Sequence, residues 1–452
     1  MKYSIASLIT LAWTITTVNA AVPPMLAWKR YHHHHYHHYS HIHHLDQDLD
    51  YLDYFDQDLD DFDQDLDDLD DHLRYALWQL RSLRQPLRVR LHHLPQLQID
   101  LSNHHLASVE PNSPYYIAEV NAAIAAASSS TLAAKFPAVA KIPNFTWFDV
   151  VAKVPTLNTY LADAASIASK IIVQIVVYDL PDRDCHALAS NGEFKISNNG
   201  VNNYKGYIDG IAAAVSAYPQ VRVVAVVEPD SLANLVTNMS DSRCANAQSA
   251  YLECTKYALE KLKQCNIWLY LDAGHGGWLG WAANQDPAAT MFANVYKGVP
   301  NNRVRGLATN VANYNPLQLT VNDPVTQGNP TPDELSYVRA LGPKLANNGF
   351  PAHFIIDQGR SGVEKIRDAW GNWCNIEGAG FGMRPTTNTP DALIDAIVWI
   401  KPGGECDGTS NTSAVRYDST CGLADAKKPA PEAGQWFQAY FEDLVKYANP
   451  AF

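Results

Sequence analysis

No cysteine occurs before Cys185, no lysine or arginine lies between Asp46 and Asp71, and beyond Val18 no apolar run is long enough to cross a membrane. Each absence removes a class of explanation. With all seven cysteines at or after Cys185, the first part of the chain has no disulfide framework. The missing cations bear on partners. Fourteen aspartates fill Asp46 to Asp71, and without them the formal net charge of −13 becomes +1. The remaining chain is nearly neutral, which suits an uncharged polymer better than nucleic acid or an anionic surface. The early apolar segment, Tyr3 to Val18, follows Lys2 and ends in Val18-Asn19-Ala20. It is too short and wrongly flanked for a spanning helix and reads as a signal peptide over residues 1–20, cleaved near Ala20 or Ala21. A secreted, extracellular protein without a membrane segment is expected.

What is present begins to look ordered at Ser113. The chain has 452 residues and 47% apolar content, enough for one large domain or two or three ordinary ones. Short apolar runs at 144–148, 171–177, 221–227, 267–271, 304–309, 353–356 and 396–400 alternate with longer helical patterns. Seven such βα units predict an α/β fold, a parallel barrel closed or nearly closed on itself.

Chemistry collects where these runs end. Ile171 to Val177 stops at Tyr178 and gives way to Asp179, Asp182, Arg183, Asp184, Cys185 and Ser190, the pattern of an active-site loop after a buried strand. One such loop would be explained equally well by ion pairs at a strand end. The pattern recurs, however, where Val221 to Val227 runs into Glu228, Pro229, Asp230 and Ser231. Further polar and aromatic residues follow the other runs, among them Asp149, Asp272, His275, Trp278, Trp281, Asn313, Asp357, Arg360, Lys401, Glu405 and Asp407, with Trp147 at the end of the first. In a parallel barrel all these ends share one face, where sites are built. Indoles suit the C–H faces of sugar rings, and paired carboxylates suit glycoside hydrolysis without metal or cofactor.

V-V-Y-D-L-P-D-R-D-C at 176–185 and E-P-D-S-L-A-N-L-V-T-N at 228–238 resemble the family six glycoside hydrolases, in particular the fungal cellobiohydrolases. The likeness continues through D-A-G-H-G-G-W-L-G-W at 272–281, T-N-V-A-N-Y-N at 309–315 and K-P-G-G-E-C-D-G-T-S at 401–410, and covers roughly residues 113–452. It implies a distorted seven-stranded (β/α) barrel with active-site tunnel loops, which hydrolyses β-1,4 bonds of cellulose with inversion and releases cellobiose from non-reducing ends. By motif match Asp230 is the acid and Asp184 the neighbour whose charge keeps it protonated. Tyr178 helps distort the sugar, Ser190 holds the attacking water, and Asp407 is a candidate base, expected to be paired by Arg183 and Lys401. A water chain from Ser190 toward Asp184 is the rival route. Trp147, Trp278, Trp281 and Trp373 match sugar platforms, with Asp149, His275, Asn313, Lys401 and Glu405 as further substrate contacts. The resemblance also implies the disulfides Cys185–Cys244 and Cys374–Cys421, with Cys254, Cys265 and Cys406 free. Small departures, at His186, Gly277, Ala282 and Asn372, bear on subsite affinity and leave every catalytic group in place. No cofactor or metal is implied. The expected partners are cellulose and cello-oligosaccharides, and the expected state is a monomer.

Residues 21–112 have a different alphabet. Fourteen of the seventeen histidines fall between His32 and His105, beside the aspartate tract. If the His, Tyr and Asp codons end in C, reading one base later yields threonine, while Leu and Phe codons yield serine. The segment is therefore read as a mis-framed Ser/Thr linker without an intact cellulose-binding module and without a stable fold. Three other functions fit the same sequence: an endoglucanase of the same family, a catalytically silent glucan-binding protein, and a His-rich metal-binding protein that rests on this tract alone. Sequons at Asn144, Asn238 and Asn411 are compatible with glycosylation.

Overall fold

The computed structural model describes residues 113–167 and 171–452, so the expected signal peptide and the His- and Asp-rich tract lie outside the described residues. Seven parallel strands form one sheet in sequence order: β1 (Thr146–Phe148), β2 (Ile172–Val177), β3 (Arg222–Val227), β4 (Ile267–Asp272), β5 (Val304–Thr309), β6 (Phe354–Asp357) and β7 (Ile394–Val398). The sheet curls, yet among the described residues no ladder joins β7 to β1. Across that seam Phe145 N–H donates to the Trp399 carbonyl at 3.1 Å.

The strands form where β-branched residues run together, as in I-V-Q-I-V-V of β2, buried on both faces. Side chains alternate between two environments. Ile172, Val176, Val224, Val226, Tyr270, Ile355, Ala396 and Val398 fill the barrel interior. Val173, Ile175, Val177, Val223, Ala225 and Val227 face outward into the larger core under the helices. Each buried valine or isoleucine among them contributes about 1.5–3 kcal/mol relative to exposure.

Helices follow most strands: α1 (Pro114–Ala125) precedes the sheet, then come α2 (Val154–Ser166), α3 (Gly200–Ala217), α4 (Ser231–Thr237), α5 (Ser242–Lys261), α6 (Ala282–Lys297), α7 (Glu334–Asn347) and the closing α8 (Gln438–Lys446). Their starts are written locally. Ser113 caps α1 by accepting from Tyr116 N–H at 3.3 Å, and Asp333 with Ser336 forms a capping box on α7. The connection between β6 and β7 carries no helix among the described residues.

Of the seven expected runs only 304–309 matches its strand at both ends; four others differ by one residue at one end or both, and the first and last differ by two. The last strand was expected at 396–400 and spans Ile394–Val398. Ile400 and Lys401 give their backbone N–H groups to the Asp357 carboxylate instead of a neighbouring strand. The first strand starts at Thr146, because Phe145 is spent on the seam.

Candidate active site

The chain turns sharply where strands become loops. Asp184 (φ 57°), Glu228 (φ 52°), Asp230 (φ 64°), Asn310 (φ 62°) and Ala312 (φ 55°) all adopt left-handed backbone conformations, which Asp and Asn tolerate and Glu and Ala do not favour. Strain of this kind persists where surrounding contacts hold it, commonly at functional sites. At Ala312 the buried Asp357 carboxylate does the holding, accepting from Ala312, Gly359, Ile400 and Lys401 backbone N–H groups, and at Asp230 the Asp272 carboxylate accepts the backbone N–H.

Three carboxyls meet at the ends of β2, β3 and β4. Asp272 Oδ2 accepts the backbone N–H of Asp230 at 3.0 Å and of Gly274 at 3.1 Å. Burial pushes Asp272 up to about 7, the two N–H groups moderate the shift, and the Asp184 charge adds to it. Burial also pushes Asp184 up to about 6, against the stabilising effects of Ser190, Arg183 and Tyr178. The Tyr178 hydroxyl donates to Asp184 Oδ2 at 3.3 Å. Asp230, partly open to the cavity, is raised well above the usual carboxylate range, first by desolvation and then by the charges of Asp184 and Asp272. The Asp184 charge was expected to keep Asp230 protonated; it contributes, but desolvation outweighs it, and Asp272, which adds to the rise, has no role in the sequence reading. Its signal was present in the sequence, as the last residue of an apolar run before A-G-H-G-G.

The expected partners of Asp407 need correction. Its Oδ2 accepts from Arg360 Nη1 at 2.7 Å, Tyr314 hydroxyl at 3.1 Å and Asn375 N–H at 2.9 Å. Neither Arg183 nor Lys401 pairs with it. Arg183 folds under its own loop, donating to the carbonyls of Ser190, Asp149 and Tyr178, with its guanidinium carbon 4.2 Å from the centre of the Tyr178 ring. Lys401 stands 3.9 Å from Glu405 and 5.4 Å from the centre of the Trp147 ring. The geometry follows from β6, whose end delivers Arg360 beside Asp407.

A cavity of about 700 Å³ gathers these groups. Trp147, Asp149, Tyr178, Arg183, Asp184, Ser190, Asp230, His275, Trp278, Asn313, Trp373, Lys401, Glu405 and Asp407 all line it. Trp281 does not. Its indole N–H returns to the Gly277 carbonyl at 2.9 Å and its ring meets Trp370 edge-on, so the expected platform lies outside the cavity wall. Trp278 is fixed by a 2.7 Å bond from its indole N–H to Thr237 Oγ1. Gly274 (φ 57°) lets the backbone pass under that indole: a Cβ there would meet the ring at 3.0 Å.

Two loops meet over the cavity. The earlier loop is tied by Cys185–Cys244 and the later by Cys374–Cys421. Leu188 N–H on the first donates to Asp418 Oδ2 on the second at 2.9 Å, and Ala189 packs against the second disulfide. Cys254, Cys265 and Cys406 are free. The sequons are presented unequally: Asn144 is buried, Asn238 lines the cavity with its Nδ2 donating to Asn234 Oδ1 at 2.6 Å, and Asn411 is exposed.

The model of the glycosyl hydrolases family 6 matches residues 108–448. This chain belongs to that family. Among its family relatives, exoglucanase 3 of Agaricus bisporus is 63% identical over 341 residues, covering 75% of this chain and 77% of the relative. Exoglucanase 2 of Hypocrea jecorina is 55% identical over 344 residues, with 75% and 73% covered. The solved structure of cellobiohydrolase II from Humicola insolens in complex with glucose and cellotetraose has a TM-score of 0.74 and 52% identity, covering 76% of this chain and 99% of that one. A family six fold thus carries a cavity with buried acids at its floor, indoles on its walls and two tethered loops above. The arrangement can hold a sugar chain while a neutral carboxyl protonates a glycosidic oxygen.

Proposed function

We propose that the protein is a secreted, monomeric cellulase that hydrolyses β-1,4-glucosidic bonds of cellulose with inversion and releases cellobiose from non-reducing chain ends. The observation that carries this reading is Asp230, kept protonated by burial and by Asp184 and Asp272, at the floor of a cavity roofed by the Leu188–Asp418 contact. A free aspartate titrates near ~3.9 and would be a poor acid at mildly acidic pH.

Asp230 donates its proton to the leaving oxygen as the glycosidic bond breaks. Asp184, which accepts from the Tyr178 hydroxyl, stabilises in its ionised form the positive charge that develops on the sugar. Water attacks from the opposite face. With Oδ2 of Asp407 already accepting from Arg360, Tyr314 and Asn375, we assign the removal of the water proton to the Ser190 side, toward Asp184, and treat Asp407 as an anchor of the later loop. Trp147, Trp278 and Trp373 hold the sugar faces, with Trp281 placed to meet a chain outside the cavity. The curated relatives are named as exoglucanases and cellobiohydrolases, and a solved neighbour holds cellotetraose, which supports cellulose as the substrate class.

An endoglucanase of the same family would have an open cleft; the joined loops favour a tunnel that admits a chain by its end. Product analysis on cellulose and viscometry on a soluble substituted glucan separate the two. Cellobiose should dominate from the first turnovers while viscosity falls slowly. A rapid early fall in viscosity would sink the exo reading, and deletion of residues 409–420 should produce that fall.

A further inference from the structure

Behind the cavity wall that carries His275 and Asn313 lies a guanidinium with no carboxylate within ion-pair distance among the described residues. Arg367, on the connection between β6 and β7, instead donates to neutral oxygens. Its Nη1 reaches Asn313 Oδ1 at 3.0 Å and the Trp370 carbonyl at 3.0 Å, and its Nη2 reaches Asn315 Oδ1 at 2.5 Å. Burial lowers its affinity for its proton to about 10, with the charges of Asp323, Glu334 and Asp425 opposing from farther off, so the side chain stays cationic. A desolvated cation without an adjacent counter-charge is costly, and its direct bonds have directional consequences.

Those consequences can be traced atom by atom. Asn313 Oδ1 accepts from Arg367 and also from Tyr314 N–H at 2.7 Å. With the oxygen turned inward, the Nδ2 of this cavity-lining residue is left as a donor. Asn315 Oδ1 accepts from Arg367 and from Trp370 Nε1 at 2.9 Å, so its Nδ2 must point the other way. It donates to Glu334 Oε1 at 2.8 Å and faces His275 Nδ1 at 3.4 Å. An N–H facing Nδ1 makes that nitrogen the acceptor, which leaves the proton of the neutral ring on Nε2. Burial, and after it the Arg367 charge, push His275 down to about 3, so the ring is neutral across the acidic range.

We propose that Arg367 is a positioning residue that fixes the hydrogen-bond polarity of this wall, making Asn313 Nδ2 and His275 Nε2 donors that select acceptor oxygens of a sugar hydroxyl. The inference rests on the carbohydrate reading of the cavity for its ligand. Its structural part does not.

The tests are nitrogen NMR of histidine-labelled full-length protein, with the His275 signals identified by difference against His275→Gln, and kinetics on cello-oligosaccharides. Without ligand the native ring should show the Nε2–H tautomer, unchanged from about pH 7 to about pH 4.5. Arg367→Met should mix the tautomers, while burial keeps the ring neutral. The variant should also raise KM for cello-oligosaccharides about tenfold with kcat changed less than about twofold, since ground-state and transition-state binding weaken together. Arg367→Lys keeps the charge but not the two-pronged geometry, so it should preserve a neutral ring and restore affinity only in part. An Nδ1–H tautomer in the native protein, or an unaltered tautomer in Arg367→Met, overturns the proposal. If Arg367→Met does not fold, the native tautomer and Arg367→Lys decide it. If native protein fails to cleave cello-oligosaccharides, the carbohydrate reading falls while the tautomer still tests the role of Arg367.

Discussion

Toward the N-terminal end of the barrel, Asp395 on β7 is gripped by Arg305 on β5 through two bonds of 2.6 and 2.8 Å and by the Tyr270 hydroxyl at 2.7 Å. At the C-terminal end, Asp184, Asp230 and Asp272 crowd together, and Arg183, its closest hydrogen bonds given to backbone carbonyls, offsets only part of the rise at Asp184. Burial raises both sets. At the lower end His353, Arg305 and Tyr270 more than offset it and hold Asp395 below the usual carboxylate range, whereas at the upper end like charges add to it. The same residue type in the same sheet therefore serves rigidity at one end and proton donation at the other. What decides is whether a cation sits alongside.

The largest effect should come from removing the proton itself. Asp230→Asn is expected to lower turnover on cello-oligosaccharides by roughly 10²- to 10⁴-fold with little change in thermal midpoint, and by less on substrates with activated leaving groups. Equal loss on both kinds of substrate would count against Asp230 as donor. The lower end should answer in the opposite manner. Asp395→Ala strands a half-buried guanidinium and should destabilise the fold by about 3 kcal/mol, measured by denaturant unfolding, while the activity of the folded fraction is kept. Replacing both Arg305 and Asp395 with apolar residues should recover part of that loss.

A finer test concerns the neighbours of the acid. Asp272→Asn and Asp184→Asn each remove a charge that raises Asp230, so the basic limb of the pH–rate profile should move to lower pH in both. A limb moved only by Asp184→Asn would return Asp272 to a backbone-holding role. A separate effect is on stability against pH. Asp184 (about 6), Asp272, Glu228 and Glu334 (each about 7) and Asp179 (about 9) bind protons in the folded state that the unfolded chain releases. Because the native state then holds more protons, stability falls as pH rises from ~4, where the unfolded groups titrate, through these higher values. Asp395 runs the other way: its contribution is present above its unfolded value and is lost as pH drops through its lowered folded one. The thermal midpoint should therefore be highest on the acid side and decline from about pH 5 to about pH 8, less steeply in Asp272→Asn. A midpoint that rises over that interval would contradict the raised values.

Much of this arrangement was legible in the chain. The seven strands are visible because β-branched runs separated by helical patterns have few alternatives, and the site because carboxylates and indoles follow those runs. The connection between β6 and β7 misled, since an apolar run and a following run do not reveal that no helix lies between them. That Trp281 lies outside the cavity wall, edge-on to Trp370, could not be read, because a tryptophan among glycines looks the same in either place. The pairing of Asp407 was misassigned because Arg360 is distant in sequence, and only the end of β6 brings the two within 2.7 Å.

By itself the sequence determined which residues alternate between barrel interior and helix-covered face, and which polar groups sit at the strand ends, since both follow from a period of two and from local chain direction. The tertiary structure alone decided which carboxyls keep a proton, which cation joins which anion, and which way the Asn313 and Asn315 amides point. These depend on desolvation and on distances of a few ångströms between loops far apart in the chain, and no local pattern encodes them.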